Sequence, residues 1–256
     1  MESLLRRERL IVCACLVVMV ALSWLYLVHL KLAMAMAGMN MPGMVMVDTQ
    51  EWGTTTVLLL FMMWAVMMVA MMVPSATPMI LAFLTVNQSR SNANRPLAPT
   101  GIFLLGYLAV WTAYSAVATL AQWGLHQATL LSTTMAATSA ALNGGLLVAA
   151  GVFQLTPLKR TCLNGCRSPL SFLMSEWRNG GVGAFVMGLR YGAYCLGCCW
   201  ILMALLFVAG VMNLFWVAAI ALLVMAEKIL PRGEILSHVA GIALVAAGVV
   251  RLAKLW

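Results

Sequence analysis

Two long stretches of this sequence contain no charged residue: Leu10–Val28 and Thr54–Val86. A helix needs about 20 consecutive apolar residues to cross the hydrocarbon core of a bilayer, so both stretches are long enough. The whole chain of 256 residues is 64% hydrophobic and only 9% charged, whereas a soluble domain is about half apolar and about a quarter charged. We therefore predict an all-α fold, a polytopic bundle of transmembrane helices that forms a single domain over residues 1–256.

Seven apolar runs are candidate membrane-spanning helices, although six helices would also fit the sequence. The runs cover residues 10–30, 54–86, 101–124, 136–155, 183–211, 213–230 and 236–253. The first resembles a signal peptide but is longer than the usual apolar segment, so we predict an uncleaved helix. The second is too long for one straight crossing and contains Pro74 and Pro78, which predict a kink or a break. The fifth begins with several glycines, which favours a short half-helix followed by a full span.

The distribution of basic residues predicts the orientation of the helices, because cytoplasmic loops carry an excess of Lys and Arg. In the seven-helix arrangement, eleven basic residues share the side of the N-terminus, which we therefore assign to the cytoplasm: Arg6, Arg7, Arg9, Arg90, Arg95, Lys159, Arg160, Arg167, Arg178, Lys228 and Arg232. The C-terminal Arg251 and Lys254 fall on the other side, which keeps the count of six open. The same bias accounts for the net charge of +8. No basic stretch is interleaved with aromatic residues, so nucleic acid is not an expected partner.

Methionines are concentrated in residues 30–53, which we predict to be an outward-facing loop between the first two helices. The glycines and the proline of this segment disfavour a stable helix. Thioether sulfur cannot be deprotonated and prefers the soft ion Cu(I) to harder cations, so closely spaced methionines can bind one ion. The candidate ligands in this loop are Met34, Met36, Met39, Met41 and Met44. The alternative is a loop in the lipid headgroup region, with Met as flexible apolar filler.

The second helix carries two rows of methionine at helical spacing. Met63, Met67 and Met71 are each four residues apart, and Met68 and Met72 repeat the interval, so each row lies along one face. Such rows could pass a soft ion inward from one thioether to the next. The alternative is a methionine stripe that packs against other helices or faces the lipid.

The segment YCLGCCWILM has Cys195, Cys198 and Cys199 at positions i, i+3 and i+4. On a helix all three thiols lie on one side, and Met203 follows one turn later. Three thiols and a thioether can form a trigonal or tetrahedral site for a soft metal ion. Because a free buried cysteine is also an ordinary small hydrophobic residue, simple packing is the alternative.

Two further cysteines, Cys162 and Cys166, lie in residues 156–182, which we predict to be a basic cytoplasmic loop. Asn164 and Gly165 allow a turn that would bring the two sulfurs together. Both thiols would be reduced in the cytoplasm, whereas an inverted topology would make them a periplasmic disulfide.

Three charged residues lie within or at the end of apolar runs. Arg190 is expected either to orient the cysteine site or to mark the cytoplasmic end of its helix. Glu227 and Lys228 close the sixth run, where we expect them to pair or to reach the membrane interface.

Several ordered motifs resemble those of the bacterial family of predicted metal-binding integral membrane proteins, whose members are described as copper-chaperone-like. These motifs are WAVMMVAMMVP, LLGYLAVW, QLTPLKRTCLNGCRSP, CLGCCWILM and MNLFWVAAIALLVMAEK, and the resemblance covers residues 54–250. It implies a helical protein of the bacterial inner membrane that binds metal. The functional residues that it implies are Trp64, Met67, Met71, Met72, Pro74, Lys159, Cys162, Cys166, Cys195, Cys198, Cys199, Met203, Glu227 and Lys228.

These patterns favour a copper-handling membrane protein that is not an enzyme. Cu(I) would be collected by the outward methionines, passed along the second helix, held by the cysteines of the fifth run, and received by Cys162 and Cys166. Its partners would be lipid, the metal ion and a copper-enzyme assembly factor. No G-x-x-x-x-G-K-(S/T) motif is present, so ATP-driven pumping is not expected. The alternatives are a membrane thiol–disulfide oxidoreductase, for which methionines have no use, and a structural subunit without metal.

Overall fold

The computed structural model describes residues 2–39, 53–90, 97–128 and 139–253 of the chain. Within these ranges every regular element is a helix, which confirms the predicted all-α class. The segments are α1 Glu2–Met39, α2 Thr54–Arg90, α3 Leu97–Gln127, α4 Ala140–Leu155, α5 Pro157–Arg167, α6 Pro169–Glu176, α7 Gly180–Ala204, α8 Leu206–Ala209, α9 Leu214–Ile229 and α10 Gly233–Ala253.

Each of the seven predicted apolar runs contains a helix, but the bundle of seven spans is not confirmed. Five helical stretches in the described part of the chain are long and apolar enough to cross a membrane: α1, α2, α3, α7 with α8, and α10. Helices α4 and α5 pass the same test only as a pair that is bent by 64°, which would make a sixth span. Helix α9 has 16 residues, fewer than the length that a straight crossing requires.

Helix α2 is continuous through Pro74 and Pro78, so the break is excluded and the kink stays a prediction. A proline inside a helix removes one backbone hydrogen bond, and a continuous helix must supply polar partners nearby. Among the described residues, hydroxyl groups donate to a neighbouring carbonyl of this turn, not to those of Ala70 and Pro74, which the two prolines leave without a helical donor. Ser75 and Tyr107 donate to the carbonyl of Met72, at 2.9 and 3.1 Å. The fifth run differs from its prediction in the same way, because α7 is one helix rather than a half-helix and a span.

Helices α3 and α7 approach so closely that Gly106 and Gly188 have no room for a side chain. A Cβ atom at Gly106 would lie 2.3 Å from the backbone oxygen of Phe185, and one at Gly188 would lie 2.1 Å from that of Phe103. Close backbone approach through small residues is how helices associate in a bilayer, where lipid is as apolar as leucine. This contact fixes α7, which carries three cysteines, against α3.

Replacing Gly188 with alanine is expected to lower the free energy of unfolding by about 1–3 kcal/mol. The added methyl group would meet a backbone oxygen, which cannot move aside without separating α3 from α7. Unfolding in mixed micelles with a denaturing detergent, followed by circular dichroism, measures the change. The matched control is Gly101→Ala on α3, where an added Cβ meets nothing within 4 Å. Equal stability of the two variants would contradict the close contact.

Helices α4 and α10 form a second pair whose backbones approach closely at glycines. A Cβ atom at Gly151 would lie 2.6 Å from the backbone oxygen of Gly241, and one at Gly248 would lie 2.9 Å from that of Gly144. The contacts join 144 with 248 and 151 with 241, so the two helices run antiparallel. In the chain, α4 lies directly before and α10 directly after the segment from α5 to α9.

Helix α1 extends further than the sequence indicated. It continues to Met39, so residues 30–39, predicted to be part of a loop, are helical. The reason is local, because Leu, Ala and Met are good helix formers and dominate this stretch. Met34 and Met36 are exposed on α1, with 44% and 54% of their surface accessible. Two of the candidate ligands, Met41 and Met44, lie outside the described residues.

Candidate functional site

The three cysteines of α7 lie in the protein core, on the side of the helix that the spacing predicts. Cys195, Cys198 and Cys199 are almost fully buried. The thiols of Cys198 and Cys199 donate to the backbone oxygen of Cys195, at 3.1 and 2.9 Å. Met203 is also fully buried one turn further on. The local helix alone therefore concentrates three sulfur donors within one turn.

Helix α5 brings Cys166 to the same place. Residues 156–176 are not an irregular loop: Thr156 caps α5 by accepting from the amide of Lys159, and Pro157 is its first residue. Proline suits this position because its missing N–H would have no helical partner there. The Cys166 thiol is buried and lies beside the thiols of Cys195 and Cys198.

Cys162 lies one turn before Cys166 on the same face of α5, because four residues make about one helical turn. Its Sγ atom would be 2.9 Å from a Cβ at Gly197, so it packs directly on α7. Asn164 and Gly165 are within the helix, and the predicted turn is absent. Cys166 therefore lies with the three cysteines of α7, and Cys162 packs on the same helix at Gly197, whereas the sequence suggested two separate sites. We call Cys162, Cys166, Cys195, Cys198 and Cys199 the cysteine cluster.

Lys228 reaches the cysteine cluster from the last turn of α9. Its Nζ atom lies 2.8 Å from the Sγ atom of Cys195 and 3.1 Å from the Oγ atom of Ser75 on α2. The hydroxyl of Tyr107 on α3 lies 3.2 Å from the same sulfur. Lys228 is 6% exposed, so the expectation that it reaches the interface is wrong. A buried ammonium requires acceptors, and here a sulfur and a hydroxyl supply them.

Glu227 does not pair with Lys228, its neighbour in sequence, but with Lys159 at the start of α5. The Nζ atom of Lys159 lies 2.7 Å from the Oε2 atom of Glu227. The side-chain amide of Gln154 donates to the other carboxylate oxygen at 2.9 Å. All three side chains are buried, so this group is an internal ion pair that connects α4, α5 and α9 beside the cluster.

The methionine rows of α2 face the core and not the lipid. Met63, Met67, Met68, Met71 and Met72 are all at most 3% exposed, and they belong to the same continuous core as the cysteines of α7. The lipid-facing alternative is therefore excluded for these side chains.

Trp64 begins the same stretch of α2 and is completely buried. Its indole nitrogen donates to the side-chain oxygen of Gln122 on α3 at 2.7 Å, and its ring packs on Phe207. Trp64 therefore positions α2 against α3 and α8. Arg190, another supporting candidate, forms an ion pair with Glu176 of α6, and none of its described contacts involves a cysteine.

The cluster has the chemistry of a soft-metal site but is in a hydrogen-bonded arrangement. Within the described ranges, no three His, Cys, Asp or Glu side chains are positioned together so as to hold a metal ion. The thiols instead contact one another, the backbone oxygen of Cys195 and Lys228. An incoming ion would therefore bind by rotating thiols away from these hydrogen bonds. Thiolate sulfur is the donor that soft ions such as Cu(I) prefer.

Sequence reasoning missed Tyr107, Ser75 and Gln154 as parts of this site. Each is a polar residue within an otherwise apolar run, and this is the signal that could have identified them. Polar side chains at membrane depth are costly and tend to face a bundle interior, where they find partners. All three are buried, and each donates a hydrogen bond to another helix or to its own.

A family model described as the copper chaperone PpoB2 matches residues 61–251. The matched range contains the whole cysteine cluster, Lys228 and the Lys159–Glu227 ion pair. No curated protein and no solved structure matches the chain. The match covers well over half of the 256 residues and agrees with the copper-chaperone-like resemblance of the motifs. The chain belongs to the copper chaperone family PpoB2.

Proposed function

We propose that this protein is a copper chaperone of the bacterial inner membrane that binds Cu(I) through its cysteine cluster and delivers or translocates it. The observation that carries the proposal is the meeting of Cys166 with Cys195 and Cys198 in the buried core. Copper is the cargo of such a protein, so the site must both accept and release it. A cluster whose thiols have alternative hydrogen-bond partners suits this requirement, because those partners take up the thiols again after release.

The methionines of α2 support the proposal as a route to the cluster. Their buried rows end near Met72, whose carbonyl accepts from Tyr107, and Tyr107 also contacts the sulfur of Cys195. Thioethers bind Cu(I) more weakly than thiolates do, so an ion would move from the methionines to the cysteines without an external energy source. Met34, Met36, Met39, Met41 and Met44 would supply the first contacts outside the membrane, and the recipient would be an assembly factor for a copper enzyme.

The membrane location rests on the five long apolar helices. We propose a multi-pass arrangement with the N-terminus in the cytoplasm, because most basic residues then lie on the cytoplasmic side. Exposed apolar side chains such as Leu22, Leu59 and Val117 would contact lipid in this arrangement.

A thiol–disulfide oxidoreductase is the second candidate, and the contact of Cys166 with Cys195 and Cys198 also favours it. Two of these thiols would form an internal disulfide and give two electrons and two protons to an external disulfide, which becomes two thiols. This function makes no use of the buried methionines or of copper.

The test is Cu(I) binding by the purified full-length protein in detergent, under anaerobic reducing conditions, in competition with a chromophoric chelator. At least one Cu(I) per chain is expected to bind, and the Cys195/Cys198/Cys199→Ser variant is expected to lose it. The control is Cys13→Ser/Cys15→Ser, which changes two cysteines of α1 outside the cluster and should bind as the wild type does. A wild-type protein that takes no Cu(I) from the chelator would refute the copper function and leave thiol exchange or a structural role.

A further inference from the structure

A positively charged residue, Lys228, lies beside the cysteine cluster, and copper binding alone does not explain its presence. The ammonium group of Lys228 is 2.8 Å from the Sγ atom of Cys195 and belongs to a different helix. We propose that Lys228 is a specificity-determining residue, whose charge biases the cluster towards a monovalent soft cation and against divalent cations. The inference rests on the proposed copper function and adds a reason for the choice of ion.

Two acceptors hold the ammonium at this position. Besides the sulfur of Cys195, it donates to the Oγ atom of Ser75 at 3.1 Å. The Ser75 hydroxyl donates its hydrogen to the carbonyl of Met72, so its oxygen is oriented to accept from Lys228. When an ion binds Cys195, Lys228 therefore keeps a partner on α2 and stays beside the cluster.

The carboxylate of Glu227, the adjacent residue in the chain, does not cancel this charge. Glu227 precedes Lys228 in the chain, but its two oxygens are taken by Lys159 and Gln154. The Glu227–Lys159 pair is neutral by itself, which leaves the charge of Lys228 to act on the cluster. Tyr107 and Ser75, which contact Cys195 and Lys228 through their hydroxyl groups, are uncharged.

The physical effect is a difference in repulsion. The energy between two charges is proportional to their product, so a divalent ion is repelled by an ammonium twice as strongly as a monovalent ion at the same distance. Burial makes this difference large, because water screens it little. The sulfur donors alone would bind Cd(II) or Zn(II) as well as Cu(I), since thiolates suit all three. The ammonium therefore supplies discrimination that the donor set lacks.

The experiment compares the affinities for Cu(I) and for Cd(II), which gives a thiolate charge-transfer absorption, in the full-length protein in detergent. The variants are Lys228→Met, Lys228→Gln and the charge-retaining Lys228→Arg. In both neutral variants the preference for Cu(I) over Cd(II), as a ratio of dissociation constants, is expected to fall by at least about tenfold. Lys228→Arg is expected to keep most of the wild-type ratio. The Gln variant can still donate to Ser75, so it carries the comparison if the Met variant does not fold.

The ratio separates a charge effect from a structural one. Removal of the charge alone should change the ratio of the two affinities, so an unchanged ratio in both folded neutral variants would overturn the role of Lys228. The copper function would survive, since wild type would still bind Cu(I). A wild-type protein that binds no Cu(I) would instead overturn the proposed function and this inference together. If Lys228→Arg lost the preference for Cu(I) as strongly as the neutral variants do, the proposed role of the Lys228 charge would also be refuted.

Discussion

Replacing Cys166 with serine is expected to lower the affinity for Cu(I) by at least about 100-fold, because loss of a ligand should exceed the 10–100-fold cost of losing an outer-shell partner. The Cys166 thiol contacts both Cys195 and Cys198, so it belongs to the same set of donors although α5 and α7 are separate helices. A serine hydroxyl has nearly the same shape but is a poor ligand for a soft ion. Chelator competition under anaerobic conditions measures the change.

Two comparisons make this expectation specific. Cys198→Ser should be affected to a similar degree, while Cys13→Ser on α1 should bind Cu(I) as the wild type does. If Cys166→Ser keeps the wild-type affinity and Cys198→Ser loses it, Cys166 is not a ligand of the bound ion. The order inferred from the sequence, in which Cys162 and Cys166 receive the ion from α7, would then be favoured.

Replacing Lys159 with methionine is expected to lower the free energy of unfolding by about 3–5 kcal/mol, because it leaves a buried carboxylate without its partner. Lys159 and Glu227 are 2.7 Å apart, and their side chains are only 1% and 2% exposed. Glu227→Leu should cost a similar amount, since it leaves a buried ammonium. The measurement is the unfolding transition in mixed micelles with a denaturing detergent.

The double variant Lys159→Met/Glu227→Leu is the decisive control. It removes both charges and replaces them with apolar groups, so it should recover most of the stability that each single change loses. If the two single losses simply add in the double variant, the residues do not interact and the buried pair is refuted.

Local patterns of the sequence were sufficient to predict most helices and part of the site. Long apolar runs with at most one charged residue located α2, α3 and α7, because the length of such a run is itself the signal for a membrane helix. The i, i+3, i+4 spacing was enough to put Cys195, Cys198 and Cys199 together, since that geometry involves only one helix.

The meeting of α5 with α7 could not be predicted in the same way. Helix α5 is short and polar, so it carries no apolar signal, and its contact with Tyr194 and Gly197 depends on how distant segments pack. Lys228 was misjudged for a related reason. A lysine at the end of an apolar run usually extends to the membrane surface, but the side chain of Lys228 is buried, and Ser75 and Cys195 accept from its ammonium group.

The glycine contact between α4 and α10 has a consequence for how the cluster is kept together. Every cysteine of the cluster, Lys228 and the ion pair lie in the one segment of chain that leaves α4 and returns at α10. The close contact between Gly151 and the backbone oxygen of Gly241 therefore joins the two ends of this segment into a closed ring. Closing a long ring once costs little more entropy than closing a short one. One contact between α4 and α10 therefore reduces the conformational freedom of all five cysteines of the cluster at the same time.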